Sequence, residues 1–339
     1  MLLPLAVMFR GLAAVRGWLY DARVLRRHAL GAPAVSVGNL STGGTGKTPV
    51  ASYLAAELSK SGARPAILLR GYGDDEHRVH EVLNPSAIVV ADADRVRGAR
   101  EARDRGADVL VLDDAFQHRR AERDADVVLV SADALGDAPW PLPAGPWREP
   151  MIALRRASLV VVTRRVASQD LVDTAVRRIA SAAPRVPVAI VRLVSDEAFR
   201  WNAPERIPLR DLAGRSVVAV SGIGDPAAFE AQLSRAGIAA DVMRFPDHHR
   251  YAGTDVATIV ARGRPGGLVV CTLKDAVKLG PQWPPGGVPL WYVTQRISIE
   301  QGAGLVGELI DGMADKAGRI RTKPDEHGQG RTGTDKAGY

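Results

Sequence analysis

The stretch Gly38-Asn39-Leu40-Ser41-Thr42-Gly43-Gly44-Thr45-Gly46-Lys47-Thr48-Pro49 constrains this chain more than any other. It follows the apolar run 34–37 and precedes Val50, Tyr53, Leu54 and Leu58 at helical spacing, so it reads as a strand, a loop and a helix start. Glycines at 43, 44 and 46 let several backbone N–H groups turn inward on a polyphosphate, and the helix N-terminus adds partial positive charge. In that reading Thr42, Gly43, Gly44, Thr45, Gly46, Lys47 and Thr48 form a nucleotide cradle. Lys47 reaches the β- and γ-phosphates, and the Thr48 hydroxyl meets Mg²⁺. Ser41 stands where the G-x-x-x-x-G-K-[ST] pattern has its first glycine, and the competing interpretation is a glycine-rich turn that happens to precede a lysine.

From residue 33 onward strands and helices alternate in the manner of a parallel α/β domain. Strands are predicted at 34–37, 65–69, 88–90, 108–114, 125–131, 158–163 and 188–193, with helices at 47–60 and 94–105. The strand at 65–69 ends in Arg70-Gly71-Tyr72-Gly73-Asp74-Asp75-Glu76, which puts acids at the carboxyl edge where such sheets bind ligands; a solvated acidic loop is the alternative. The strand at 108–114 delivers Asp113 and Asp114 at its tip, the form of a Walker B element whose carboxylate holds Mg²⁺ directly or through water. The prolines of 139–150 predict a stiff, ordered loop. After an irregular stretch at 201–211 a second α/β unit opens at 216–220, with Gly222 and Gly224 in its turn, Asp225-Pro226 at a helix start, and further strands at 242–245, 268–272 and 290–294. Beyond Gly312 large apolar residues almost vanish, which predicts a disordered tail. The expected organisation is a helix over 1–28, a phosphate-loop domain over 29–195, a smaller α/β domain over 196–311 and a tail over 312–339.

A net charge of +7 points to an anionic partner: nucleic acid, an anionic lipid surface or a phosphorylated substrate. The arginines lack interleaved stacking rings, and aromatic residues make up only 5% of the chain, so nucleic acid ranks last. A single cysteine, Cys271, leaves no intrachain disulfide and implies a reducing compartment and an inert buried thiol. Residues 1–20 are apolar, but Arg10 and Arg16 interrupt them before they can span a bilayer. No basic region precedes them and no small-residue cleavage site follows, so a secretory signal is not expected. What remains is an amphipathic helix ending in Trp18 and Tyr20, with Arg23, Arg26, Arg27 and His28 beyond it. Such a helix either inserts one face into an anionic membrane interface or packs on the protein's own core.

At Asp113-Asp114-Ala115-Phe116-Gln117-His118-Arg119-Arg120 the sequence resembles the tetraacyldisaccharide 4′-kinases, the lipid A 4′-kinases of Gram-negative bacteria. Other blocks are similar and stand in the same order: the phosphate loop with its Ser41, Arg70-Gly71-Tyr72-Gly73, and Leu142-Pro143-Ala144-Gly145-Pro146-Trp147-Arg148-Glu149-Pro150. Phe245-Pro246-Asp247-His248 and Lys274-Asp275-Ala276-Val277-Lys278-Leu279 complete a resemblance that leaves out only the tail, although Leu273 stands where the family carries Glu. It implies transfer of the ATP γ-phosphoryl group to the 4′-hydroxyl of an acylated glucosamine disaccharide 1-phosphate, giving lipid IVA. The family's base is the aspartate of a G-D-E-P stretch, assisted by the histidine of the D-H stretch. Here the acids read Gly73-Asp74-Asp75-Glu76-His77, so the resemblance assigns the base to Asp75, which keeps the Asp-Glu pair, with Asp74 as the alternative, and the assisting imidazole to His248. A lone carboxylate is a weak base, and an imidazole that shares the proton strengthens it. Asp247 is expected to orient that imidazole; read alone, 247–249 is a polar capping turn or a metal site short of ligands.

Thr48, Asp113 and Asp114 are the metal-side candidates, with Glu76 and Glu149 as further members of a Mg²⁺ shell. Gln117, His118 and Arg119 follow the Walker B tip and either meet the sugar or its phosphate or serve the structure. An acceptor with four acyl chains favours the membrane-anchor reading of the first helix, on the cytoplasmic face of the inner membrane as a peripheral protein. The rival reading is a membrane-associated P-loop NTPase switch without a sugar-lipid acceptor, and a third is an anionic-lipid binding module with a vestigial nucleotide site. A switch needs no base for an acceptor hydroxyl, so Asp75 and His248 discriminate.

Overall fold

The computed structural model describes residues 2–71, 75–135 and 140–321. Asp74, the alternative base, lies outside them, as do residues 322–339 of the expected tail. A first helix, α1 (Leu3–Asp21), precedes an alternating run: β1 (Ala34–Asn39), α2 (Lys47–Lys60), β2 (Pro65–Leu69), α3 (Glu76–Leu83), β3 (Ile88–Ala91), α4 (Arg95–Asp104), β4 (Val109–Asp113), β5 (Ala125–Ser131), β6 (Leu159–Arg164), α5 (Gln169–Ala182) and β7 (Val188–Val194). A second run holds β8 (Glu197–Arg200), β9 (Arg206–Pro208), β10 (Val217–Ser221), α6 (Pro226–Arg235), β11 (Ala240–Arg244), α7 (Gly253–Arg262), β12 (Leu268–Thr272), α8 (Leu273–Leu279) and β13 (Leu290–Val293). The chain then returns through β14 (Arg296–Gln301) and α9 (Ala303–Arg321).

The first unit is a sheet of order β14-β7-β6-β5-β1-β4-β2-β3, parallel except where β14 pairs antiparallel with β7. Its strands alternate sides as a two-faced sheet requires. Val35, Val37, Val109, Val111, Val127 and Leu129 share one core with Val50, Leu54 and Leu58 of α2. Their neighbours Ala34, Leu110 and Leu112 pack with Val96, Ala99 and Ala102 of α4, and Val128 and Val130 with Val172, Ala175 and Ile179 of α5. The second unit has strand order β11-β10-β12-β13-β8-β9, with Cys271 wholly buried in β12. This is the expected class: a mostly parallel P-loop NTPase-like domain, a smaller α/β unit and an N-terminal helix.

Three boundaries differ from the sequence expectation. Residues 201–211 are not wholly irregular, because Arg206–Pro208 pairs antiparallel with β8 as an edge strand. The stretch 294–311 does not belong to the second unit: β14 extends the first sheet, and Val306 and Ile310 of α9 enter the α2 core. Gly302, at φ +79°, makes that turn; a Cβ there would lie 2.9 Å from the Ala189 Cα, so only glycine fits against β7. The expected tail is helical as far as Arg321, because Met313 and Ala317 continue the same buried stripe at helical spacing.

Helix α1 lies against the first unit through little of its surface. Ala6 and Tyr20 are buried, while Val7, Leu12, Val15 and Trp18 are exposed. Packing on the protein's own core therefore does not account for its apolar stripe. Among the described residues no helix is long and apolar enough to cross a membrane.

Met313 is only 3% exposed, so Met313→Ala leaves a cavity beside α2. We expect a loss of about 2–5 kcal/mol in urea denaturation; an unchanged midpoint would mean that the last helix contributes nothing to the core.

Candidate active site

β1 lies between β4 and β5, and the register pairs Val37 with Asp113, so the loop after β1 and the tip of β4 emerge side by side. Gly46 caps α2 at φ +89°, where a Cβ would come 2.7 Å from Leu193, so the loop's last turn accepts only glycine. The loop is braced from three sides. Asn39 Nδ2 donates to Thr45 Oγ1 at 2.8 Å, the Thr163 hydroxyl donates to the Thr45 carbonyl at 2.9 Å, and Thr42 N donates to Pro146 O at 2.7 Å. The last bond comes from the proline-rich segment, whose described part straps the loop and brings in Arg148.

Asp114 adopts a left-handed backbone at φ +49°, a conformation that costs a non-glycine residue about 1 kcal/mol or more. The turn directs its carboxylate to Arg148 at 2.8 Å and to Lys47 at 3.7 Å. Asp113 is buried: His80 Nε2 meets its Oδ2 at 3.0 Å, and its Oδ1 has no hydrogen-bond partner. Burial works to raise the Asp113 carboxyl, but the His80 hydrogen bond and the charges of His80 and Lys47 outweigh it and hold the group below the usual carboxylate range. Glu76 is pushed up, chiefly by burial and further by the charges of Asp113, Asp75 and Asp114, against the pull of Lys274. Asp113, with its buried orphan oxygen, Asp114 and Thr48 line one cleft, and their oxygens are of the kind Mg²⁺ takes when phosphates supply its remaining ligands. Glu149 lines the same cleft, with its carboxylate paired to Arg156 at 2.7 Å.

The same cleft is lined by Asp75 and by groups of the second unit. Asp75, the residue before α3, has a side chain 5% exposed; Lys278 Nζ lies 3.1 Å and His248 Nδ1 3.8 Å from its Oδ2. His248 itself is at φ +57°, fixed by its N–H donating to Gly222 O and to Asp247 Oδ1. The expected orientation of the imidazole by Asp247 takes this backbone form instead, since the two side chains stand 3.9 Å apart, beyond hydrogen-bond range. These groups, the phosphate loop and Phe9, Leu12 and Arg16 of α1 line one continuous cleft of ≈ 2730 Å³.

The three residues after the Walker B tip face mostly inward. Gln117 Nε2 donates to Asn39 O, and the Gln117 backbone carbonyl accepts from Arg16. Arg119 is buried, donating to Gly17 O at 2.8 Å and to the Asp21 carboxylate, so it clamps α1 to the sheet. His118 lines the cleft with Nε2 unpartnered. Sequence reasoning assigned no role to His80, Lys278 or Arg148. Lys278 and Arg148 lie in blocks that carried the family resemblance, so a signal existed for them; nothing local marks His80.

A parallel sheet ending in a phosphate loop, an aspartate pair at the neighbouring strand tip and an acid–imidazole pair lining the same cleft define a P-loop phosphotransferase. The profile of the tetraacyldisaccharide-1-P 4′-kinase family matches residues 1–87 and 81–312. Tetraacyldisaccharide 4′-kinase of Anaeromyxobacter dehalogenans strain 2CP-1 is 40% identical over 89% of this chain and 87% of its own. That of Geobacter metallireducens is 35% identical over 91% of each. The crystal structure of "apo" form LpxK from Aquifex aeolicus in complex with ATP superposes with a TM-score of 0.73 at 29% identity, covering 92% of this chain and 98% of that one. The chain belongs to the tetraacyldisaccharide-1-P 4′-kinase family.

Burial, with the charges of Arg95, Arg123 and Arg16 behind it, lowers His118 from 6.5 to about 4. Between those values the unfolded chain binds a proton there that the folded chain does not, so this residue's share of stability falls as pH drops through that window. We expect His118→Gln to flatten the stability profile between pH 6.5 and about 4 relative to the parent in urea denaturation; parallel profiles would refute the shift.

Proposed function

We propose that the protein transfers the γ-phosphoryl group of ATP to the 4′-hydroxyl of a tetraacylated glucosamine disaccharide 1-phosphate, at an anionic membrane surface on the cytoplasmic face of the inner membrane. The observation that carries this reading is the cleft itself, which Asp75, flanked by His248 and Lys278, lines together with the phosphate loop. Lys47 and the loop amides hold the β- and γ-phosphates, and Arg148 adds a second cation on the same side. Thr48, Asp113 and Asp114 would hold Mg²⁺, with Glu76 close by, and the ion would supply charge neutralisation for the transferring phosphoryl group. Asp75 accepts the proton of the 4′-hydroxyl as its oxygen bonds to the γ-phosphorus and the bond to the β-phosphate oxygen breaks, releasing ADP. His248 then shares the proton, and Lys278 offsets the carboxylate's charge while the acceptor binds. A switch that hydrolyses nucleotide to release a partner has no use for this group opposite its phosphates.

The reading is tested with labelled ATP and a tetraacyldisaccharide 1-phosphate in detergent with Mg²⁺, following a new 4′-phosphate. We expect Asp75→Asn to lower kcat by about 10²–10⁴-fold, with ATP affinity unchanged. No lipid product from the parent protein would overturn the function, and equal loss of turnover and ATP binding would remove Asp75 from the role of base.

Support for the membrane surface comes from α1, where Leu12 and Trp18 are each 64% exposed, followed by Arg23, Arg26 and Arg27. Removing residues 1–20 is expected to abolish sedimentation with anionic vesicles, and unchanged sedimentation would exclude α1 as the anchor.

A further inference from the structure

Helix α3 does more than follow the base. His80, 1% exposed, sits five residues after Asp75 with both ring nitrogens engaged. Its Nε2 lies 3.0 Å from Asp113 Oδ2, and its Nδ1 lies 3.3 Å from the Ser52 hydroxyl. Ser52 is one turn beyond Thr48 on α2, the helix that the phosphate loop opens into. With a proton on Nε2 the ring donates to Asp113, and Nδ1 shares a hydrogen bond with the Ser52 hydroxyl, so both contacts are satisfied at once. The same helix places Val79 against Leu273 and Val277 of α8, beside the Lys278 that meets Asp75.

An imidazole bonded to one oxygen of a carboxylate sets its rotamer and leaves the other oxygen to a ligand. At Asp113 that other oxygen, Oδ1, is buried and unpartnered. Leaving a buried carboxylate oxygen unsatisfied is costly unless something occupies the position in the working state. We infer that His80 is a positioning residue of the phosphoryl-transfer site: it holds Asp113 through Oδ2 so that Oδ1 is presented to the divalent cation of bound ATP. Through α3 it also ties that carboxylate to Asp75, so the metal side and the base side share one rigid element. The inference rests on the reading of Asp113 as a metal ligand.

The test uses Mn²⁺ as the probe with the full chain and ATP, without acceptor, so that nothing turns over; free Mn²⁺ is read by electron paramagnetic resonance. His80→Phe keeps the ring's bulk and loses both hydrogen bonds, while His80→Gln keeps an N–H donor. We expect His80→Phe to weaken Mn²⁺ binding about tenfold or more, the usual effect of losing an outer-shell partner, with ATP affinity in EDTA unchanged and His80→Gln restoring most of the loss. Parental Mn²⁺ affinity in a His80→Phe protein that only melts earlier would make the residue part of the core and overturn the inference. Should His80→Phe not fold, Ser52→Ala, which removes the ring's rear support, is expected to weaken Mn²⁺ about threefold, and parental affinity there would overturn it equally. Asp113→Asn separates the two layers. If it leaves Mn²⁺ affinity unchanged, the metal reading fails; if it weakens Mn²⁺ while His80→Phe does not, only the role of His80 fails.

Discussion

The pairing of β1 with β4 is the constraint from which the site follows. Parallel strands in register bring their carboxyl ends to the same edge, and Val37 opposite Asp113 leaves the phosphate loop and the aspartate pair adjacent without any help from side chains. Strands buried on both faces need continuous apolar sequence, and β4 is fully buried along Val109–Asp113. Asp113 therefore sits at the last position where a strand still fixes it. Asp114, one residue further, must turn into the left-handed region to bring its carboxylate back to Lys47 and Arg148. One acid is held by the sheet and the other by strain and ion pairs.

The opposite wall depends on α3. The helix is short and belongs by chain order to the first unit, yet its Val79 packs with Leu273 and Val277 of the second. The Asp75 carboxylate at its start is thereby brought to Lys278 and His248, which arrive on different elements of that unit. A nearly buried carboxylate needs a cation, and Lys278 at 3.1 Å is closer than His248 at 3.8 Å. The lysine is thus the nearer countercharge, and the imidazole is the more exposed of the two partners.

The phosphate loop, the Walker B tip and most of the strands are legible from sequence because their signals are local: glycines at a turn, apolar runs, acids at strand ends. The return of β14 and α9 to the first sheet is not, since neither the polar edge strand 296–301 nor a helix with few bulky residues announces which unit it will join. Ala317 counts toward a buried stripe only when α2 is seen beside it. Arg119, from its place after the aspartates, reads either as a contact for the sugar or its phosphate or as a structural residue, and only the fold shows its guanidinium bonded to Gly17 and Asp21. The Arg156 partner of Glu149 is likewise a contact that no local sequence signal announces. His80 is invisible for the same reason in reverse, because nothing within its own helix explains a buried histidine.

An amphiphilic acceptor poses a geometric problem that this architecture answers. The reacting hydroxyl must enter a site dense in charge, while the acyl chains cannot leave an apolar phase without a cost that rises with every buried methylene, about 0.8 kcal/mol each. Phe9 and Leu12 line the same cleft as Lys47 and Asp75, so apolar and charged walls meet within one cavity. Arg119 is what fixes their separation, since it bonds to α1 from a position five residues beyond Asp114. Arg119, which the sequence leaves open between a substrate contact and a structural role, thus sets the distance between α1 and the strand tip that carries Asp113 and Asp114.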